Sequence, residues 1–322
     1  MKVGQELAKI APHKETLLTI GVFDGVHTGH HYLLENLKQR AWERKLLSGV
    51  VTFDPRPQSV LHPQRTVNCQ LLAISLENRV KFLRELGIDL VAVLSFTPEL
   101  SQLSAREFIS SLVKHLKMRG LLIGPDFALG RDREGNAHLL RSLGQEMGFG
   151  VETIPPFTAN GEIVSSTLIR QALAQGNMAK VKKLMGHYFY LIGKVTSADK
   201  RGRTLGFPTA NLDIKSEQAL PGNGVYATIA QVDGKQFASA TNIGTRPTFG
   251  NGKIWVETHL LNYEGDLYSK EIRVDFVQKL RGERFFASSE KLASQIVKDV
   301  RGAKAILSRI ASLAMTERRP LK

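Results

Sequence analysis

The sequence predicts an α/β domain followed by a β domain with a terminal helix, because its apolar runs are spaced in two different ways. In the first half, five apolar runs alternate with helical patterns, namely 16–23, 48–53, 89–96, 119–124 and 150–157. Strands separated by helices form parallel sheets covered on both faces. From Tyr188 onward, β-like runs are separated by turn residues, which predicts an antiparallel barrel or sandwich.

Length and composition are compatible with two such domains. The 322 residues exceed one ordinary core, and we expect domains over 1–186 and 187–322. No apolar run approaches the roughly 18 residues that span a bilayer. The polar start lacks a signal core, and Cys69 is the only cysteine, which excludes an internal disulfide. These features predict a cytoplasmic protein.

Helical patterns account for the rest of each domain. In the first domain they are predicted up to about Lys45 and over 76–86, 105–115, 137–148 and the two segments that end near Gly186. In the second, Asp233-Gly234 is a strong two-residue hairpin signal between two of the β-like runs. A final helix over Ser289–Ala314 is expected on the outside of the β domain, broken or kinked near Gly302.

The net charge of +14 favours polyanionic partners but does not select one. A solvated basic surface and a nucleic-acid footprint both remain open at this point. The β-like runs lack a row of aromatic residues on which bases could stack, which argues against nucleic acid.

A cluster of histidines and glycines follows the first predicted strand, in the stretch TIGVFDGVHTGHHYLL over 19–34. Ligands of doubly wound sheets bind beyond the carboxyl ends of the strands, where this loop is predicted to lie. The helix that follows directs free N–H groups at the loop. The histidines could instead ligate a metal, with Asp24 as a further ligand, but structural zinc sites normally use four ligands and often cysteine. We favour a phosphate site in which His27 and His30 donate hydrogen bonds, while His31 begins the helix.

The segment GVFDGVHTGH resembles the His-x-Gly-His motif of the nucleotidylyltransferase superfamily, in the form found in prokaryotic FAD synthetases. The superfamily's second element, a Ser/Thr-rich helix start, is matched by VSSTLIR at 164–170. The resemblance implies catalytic roles for His27, His30 and Arg170. It implies an ATP site formed by Gly21, Phe23, Asp24, Gly25, His27, Gly29, His30, Ser165, Ser166, Thr167 and Arg170.

Two further stretches, VVTFDPRPQSVL and LLIGPDFALGRDREGN, resemble the segments that face FMN in the same family. The implied FMN-binding residues are Asp54, Pro55, Asp126, Phe127 and Asn136. The chain departs from the family where Arg56 replaces an expected histidine and Leu129 an expected aromatic residue.

The second domain contains RGRTLGFPTANL at 201–212, which resembles the ATP loop of riboflavin kinases. The implied kinase ATP site comprises Gly202, Arg203, Gly206, Pro208, Thr209 and Asn211. Thr209 and Asn211 would also offer oxygen ligands to Mg²⁺. PGNGVYAT, NIGTRPTF and VETHLLNYEGDLYSK follow in the family's order, although Ala198 and Ser269 occupy positions where glycine is usual.

Glu257 lies in the apolar run IWVETHLL, where alternation places it on one face with Trp255 and His259. The resemblance implies that it is the kinase base, accepting the proton of the ribityl 5′-hydroxyl. A solvated strand face is the alternative explanation for this carboxylate.

Together the matching motifs cover about Leu17 to Leu307. They imply the family of prokaryotic bifunctional riboflavin kinases/FMN adenylyltransferases, with a Rossmann-like nucleotidylyltransferase domain and a riboflavin-kinase β-barrel. Riboflavin, FMN, FAD and ATP would be the small-molecule partners, with Mg²⁺ as cofactor. Two alternatives remain: a barrel that binds flavin without kinase turnover, and a basic nucleic-acid-binding protein.

Overall fold

The structure is a computed structural model that describes residues 3–62, 75–196, 207–215, 218–245 and 254–317. The chain forms two compact units, one up to Ser166 and one from Thr167. Within the described stretches, no helix is both long enough and apolar enough to cross a membrane.

The first unit is built on a five-stranded sheet in which all neighbouring strands are parallel. Its strands are β1 (Thr16–Ile20), β2 (Leu47–Asp54), β3 (Leu90–Ser95), β4 (Met118–Ile123) and β7 (Gly150–Thr153), in the spatial order β3-β2-β1-β4-β7. Two small hairpins complete the strands, β5 (Ala128–Leu129) with β6 (Gly135–Asn136) and β8 (Thr158–Ala159) with β9 (Glu162–Ile163). The predicted parallel sheet is confirmed.

Helices cover both faces of this sheet. They are α1 (Val3–Ala8), α2 (Thr28–Glu43), α3 (Pro57–Leu61), α4 (Leu76–Glu85), α5 (Pro98–Ser101), α6 (Ala105–Leu116) and α7 (Ala137–Met147). Leu17 and Leu18 are both fully buried but belong to different apolar clusters. Because successive strand residues point to opposite faces, this division shows one core on each side of the sheet.

The start of α6 illustrates how local sequence sets these boundaries. Ser104 accepts a hydrogen bond from the Glu107 backbone N–H at 3.2 Å, and the Glu107 carboxylate accepts one from the Ser104 N–H at 2.8 Å. This reciprocal capping box satisfies two backbone donors that the helix itself cannot pair.

The second unit contains a closed antiparallel barrel of six strands. In chain order its elements are α8 (Ser166–Ala174), α9 (Met178–Met185), β10 (Phe189–Thr196), β11 (Ala210–Asp213), β12 (Gly224–Val232), β13 (Lys235–Thr245), β14 (Ile254–Leu260), β15 (Glu271–Arg281) and α10 (Ser289–Glu317). The barrel order is β10-β11-β14-β13-β12-β15, and β15 closes it by pairing with both β10 and β12.

Two expectations for this unit are corrected and one is confirmed. The end of the stretch 201–212 was expected to be loop, but Ala210–Asp213 forms strand β11. Helix α10 is continuous through Gly302 and shows no break, and the next residue, Ala303, is fully buried against Ala227 and Ala240 of the barrel. The hairpin at Asp233-Gly234 forms as predicted, with φ of +49° and +76°.

Candidate active sites

The loop between β1 and α2 has a strained backbone. Phe23, Gly25 and Val26 have φ of +54°, +76° and +34°. Only glycine adopts such values without steric cost, and a β-branched residue such as Val26 is an outlier there. Strain of this kind persists where surrounding contacts fix the chain, and it is concentrated at functional loops.

Two histidines form the end of this loop and the first turn of α2. His27 is the N-cap, and its Nδ1 accepts a hydrogen bond from the His30 backbone N–H at 3.3 Å. The two imidazole rings are stacked, with centroids 3.7 Å apart and 15° between their planes. Since His27 Nδ1 is an acceptor, a neutral His27 carries its proton on Nε2.

His30 has an unusual environment. Its Nδ1 is buried and has no hydrogen-bond partner among the residues that the structure describes. Burial lowers the pKa of His30 well below 6.5, and the nearby His27 and His31 lower it further. The ring is therefore neutral at physiological pH, which suits hydrogen-bond donation to an anion and not a fixed positive charge.

The first residue of the second predicted motif, Val164, lies close to this loop. A Cβ atom added to Gly29 would lie 3.1 Å from His27 Nδ1 and 3.2 Å from the Val164 carbonyl oxygen. Glycine therefore permits the segment that leads into Ser165 and Ser166 to approach the histidines. Thr167 and Arg170 follow on α8 in the second unit, where Thr167 is exposed and Arg170 is partly buried.

A buried group of charges lies beside the loop. Asp24 Oδ2 is 3.6 Å from Arg56 Nη1, and the side chains of the two residues are 8% and 12% exposed. The departure at Arg56 thus provides a cation for Asp24. Arg79 on α4, which the sequence analysis missed, donates hydrogen bonds from Nη1 to the Val22 carbonyl at 2.8 Å and from Nη2 to the Phe53 carbonyl at 3.0 Å.

A sequence signal for Arg79 existed. In LENRVKFL it lies three residues after Leu76 and four before Leu83, on the face of α4 that points to the core. An arginine on an apolar face requires buried acceptors, which here are backbone carbonyls.

The residues implied for FMN have varied surroundings. The Asp54–Pro55 peptide is cis, Asp126 is exposed, and Phe127 packs partly against the core. Asn136 caps α7, with Oδ1 accepting from the backbone N–H groups of His138 and Leu139. The structure thus assigns Asn136 a capping role, and flavin binding by these residues stays a prediction.

In the barrel, Asn211 and Glu257 are directly paired across strands β11 and β14. Paired residues on neighbouring antiparallel strands have Cβ atoms about 5 Å apart. Asn211 is 5% exposed, and its Oδ1 has no hydrogen-bond partner within the described stretches. A buried amide oxygen beside a carboxylate offers the hard oxygen ligands that Mg²⁺ prefers.

His259 on β14 contacts the segment that leads to Asn211. Its Nδ1 donates a hydrogen bond to the Pro208 carbonyl at 2.8 Å, and its ring contacts Phe207 edge-on with centroids 5.6 Å apart. Thr209, which is partly buried, lies between this anchor and β11. The remaining predicted residues of the loop, Gly202, Arg203 and Gly206, lie outside the described residues, as does the departure at Ala198.

Ser269, the other departure in this unit, has φ of +62°. This is the left-handed conformation that favours glycine. The family's usual glycine therefore matches the backbone, and the serine at this position bears a conformational cost.

The first unit has a histidine–glycine loop at the carboxyl end of the central strand of its parallel sheet, and the second has a barrel with a paired carboxylate and amide. Together these features define a two-unit nucleotide-dependent transferase. Residues 9–168 match the family model described as FAD synthetase, and residues 185–307 match the model described as riboflavin kinase. The chain belongs to the family of bifunctional riboflavin kinases/FMN adenylyltransferases, as its relatives show.

Curated proteins named bifunctional riboflavin kinase/FMN adenylyltransferase match almost the whole chain. The protein of Escherichia coli (strain K12) is 40% identical over 291 residues, which cover 90% of this chain and 92% of the relative. The protein of Pseudomonas fluorescens is 39% identical over 309 residues, covering 95% and 98%. These matches confirm the family resemblance found in the motifs.

Among solved structures, one titled as a macrolide-efflux protein from Streptococcus pneumoniae has a TM-score of 0.84 at 26% identity. The match covers 94% of this chain and 97% of the Streptococcus pneumoniae chain. The match extends across the parallel sheet and the barrel, so both parts of the fold occur together in that protein.

Proposed function

We propose that the chain makes FAD from riboflavin in two ATP-dependent steps, with one step in each part of the protein. Residues 187–322 would phosphorylate riboflavin to FMN, and residues 1–186 would join FMN to AMP. The boundary near residue 186 is supported by the riboflavin kinase match, which begins at residue 185. It also keeps the motif at 164–170 with the adenylyl-transfer activity.

The observation that carries the adenylyl-transfer assignment is the approach of the Val164 carbonyl to Gly29 beside the stacked histidines. In the reaction, an FMN phosphate oxygen attacks the α-phosphorus of ATP, and the bond to the β-phosphate oxygen breaks. Pyrophosphate leaves, and no general base is needed because the FMN phosphate is already an anion. His27 and His30 would donate hydrogen bonds to the phosphate oxygens as charge shifts to the leaving group.

Other residues would complete this site. Ser165, Ser166 and Thr167 would bind the triphosphate through hydroxyl and backbone N–H groups at the start of a helix. Arg170 would add positive charge there. The residues proposed to hold FMN are Asp54, Pro55, Asp126, Phe127 and Asn136.

The kinase assignment depends on the pairing of Glu257 with Asn211. Glu257 would accept the proton of the ribityl 5′-hydroxyl while that oxygen attacks the γ-phosphorus of ATP, and ADP leaves. Thr209 and Asn211 are the residues that would hold Mg²⁺, which neutralises phosphate charge when bound. Gly202, Arg203, Gly206 and Pro208 would contact the nucleotide itself.

A time course with the full chain tests this proposal. Incubation with riboflavin, ATP and Mg²⁺ should give FMN first and FAD second, and omission of Mg²⁺ should stop the kinase step. Incubation with FMN and ATP should give FAD and pyrophosphate in equal amounts. Accumulation of FMN without FAD would contradict the adenylyl-transfer assignment, whereas FAD made only from added FMN would contradict the kinase assignment.

We propose that the protein works in the cytoplasm on small-molecule flavins, where ATP for both steps is at hand. No step in this route needs a nucleic acid or a membrane.

A further inference from the structure

We propose that Arg79 is a positioning residue for adenylyl transfer, which fixes the loop after β1 relative to the end of β2. This inference rests on the proposed function, because it assigns the two tethered segments to that reaction. Arg79 itself would not contact the substrates.

The carbonyls that Arg79 binds stand immediately before the two groups of site residues. Val22 precedes Phe23 and Asp24 in the histidine loop, and Phe53 precedes Asp54 at the end of β2. Arg79 is 4% exposed, and its guanidinium donates to both carbonyls at 2.8 Å and 3.0 Å. A single side chain on α4 therefore links the predicted ATP-binding and FMN-binding segments.

The tether lies just beyond the regular strand pairing. The β1–β2 register ends at Ile20 paired with Val51, and one further backbone bond joins the Gly21 N–H to the Val51 carbonyl at 3.0 Å. Farther along both segments, Arg79 joins the Val22 and Phe53 carbonyls. Two other contacts span the same segments: Thr52 Oγ1 donates to the Val22 carbonyl at 3.4 Å, and Arg56 lies 3.6 Å from Asp24. Of the three residues, Arg79 alone contributes from a separate helix. The reacting phosphates of two substrates must be held within a few tenths of an ångström of the productive geometry, so the spacing of these segments should affect the chemical step.

The contribution of the positive charge of Arg79 can be separated by substitution from that of its two hydrogen bonds. Asp24 and Asp54 stabilise the Arg79 cation against its burial, whereas Arg56 opposes it. Loss of the cation would leave two carboxylates against one arginine where a polyphosphate binds, which should weaken ATP binding. Lysine keeps the charge but lacks the planar fork that reaches two acceptors at once. Arg79→Lys should therefore lower kcat without raising KM for ATP.

The test uses the full chain with Arg79→Lys, Arg79→Met and, as a matched control, Lys81→Met. Lys81 is a cation on the same helix whose side chain is 74% exposed. FAD formation from FMN and ATP would be measured together with ATP affinity by calorimetry and with FMN formation from riboflavin. We expect Arg79→Lys to lower the adenylyl-transfer kcat at least tenfold with KM for ATP within twofold of the parent chain. Arg79→Met should raise this KM as well, and Lys81→Met should change neither.

The results of this test distinguish failure of the positioning role of Arg79 from failure of the proposed function. If Arg79→Lys keeps kcat within twofold, or loses ATP binding together with cooperative unfolding of the first unit, the positioning role is overturned. If the parent chain makes no FAD from FMN and ATP, the proposed function and the inference both fail. A kinase step unchanged in every variant would show that the rest of the chain is intact.

Discussion

The imidazole rings of His27 and His30 are stacked 3.7 Å apart at the first turn of α2, and the His30 backbone N–H donates to His27 Nδ1. Burial lowers the pKa of His30, and the adjacent His27 ring lowers it further. His30 is thus a neutral donor at a helix N-terminus, where the backbone already favours an anion.

Replacement of His30 by Asn should reduce FAD formation while FMN formation from riboflavin continues. We expect a loss of about 10²–10³ in kcat, the usual effect of removing one preorganised donor to developing charge. Steady-state production of FAD from FMN and ATP measures it. His31→Asn is the matched control, since His31 packs edge-on against Phe82 at 5.4 Å. FAD output within twofold of the parent chain in His30→Asn would refute the assignment.

The depressed pKa of His30 also predicts how stability depends on pH. Between the lowered pKa in the folded state and 6.5 in the unfolded state, the unfolded chain binds more protons. The free energy of unfolding should therefore fall as pH decreases below about 6.5. Thermal unfolding of the first unit between pH 7.5 and 5.5 should show this fall, and His30→Asn should reduce it. An equal slope in both proteins would contradict the prediction.

The sequence predicted the sheet because buried parallel strands are nearly continuous apolar runs, which helices then separate. It did not predict β11, because this strand has only four residues, ANLD, and two of them are polar. The burial of Asn211 depends on its pairing with β14, a contact between residues distant in the chain. Local patterns carry no record of such contacts.

For the candidate site too, the sequence pointed to the local features but not to those that depend on distant contacts. Glycine and histidine spacing identified the loop at 21–30 because its backbone requirements are local. The position of Arg79 was missed because its acceptors, the Val22 and Phe53 carbonyls, are brought together only by the sheet. The pairing of Arg56 with Asp24 likewise depends on the fold, although both residues were singled out separately.

Glu257→Gln should block FMN formation and leave FAD synthesis from added FMN. A positioned general base contributes about 10²–10⁴ in rate, and glutamine keeps the shape of glutamate but cannot accept the proton. The kinase kcat should fall within that range while riboflavin binding persists. The adenylyl-transfer rate of the same sample is the internal control. Normal phosphorylation of riboflavin by this variant would show that Glu257 is not the base.

Ser269→Gly should stabilise the second unit. Serine at φ of +62° bears a steric cost that glycine avoids, and the greater entropy of glycine in the unfolded chain offsets part of the gain. We expect a net increase of about 0.5–1 kcal/mol in the free energy of unfolding, measured by urea denaturation. Asn262 has φ of +56°, but asparagine tolerates this conformation, so Asn262→Gly should gain less. A loss of stability in Ser269→Gly would contradict the argument.

His259→Phe should weaken the kinase step by releasing the segment that leads to Thr209 and Asn211. Phenylalanine keeps a ring against Phe207 but loses the hydrogen bond to the Pro208 carbonyl. One such bond is worth about 0.5–1.5 kcal/mol, so kcat/KM for ATP should fall roughly 2- to 13-fold.

The matched control for this change is His187→Phe. His187 Nδ1 donates to the carbonyl of its own neighbour, Tyr188, at 2.8 Å, outside the predicted nucleotide loop. ATP titrations at several Mg²⁺ concentrations should show the defect in His259→Phe alone, and high Mg²⁺ should partly restore activity, because occupancy of a loosened site can be regained by mass action. Equal effects of the two substitutions would mean that the bond from His259 to Pro208 stabilises the barrel without positioning Thr209 and Asn211.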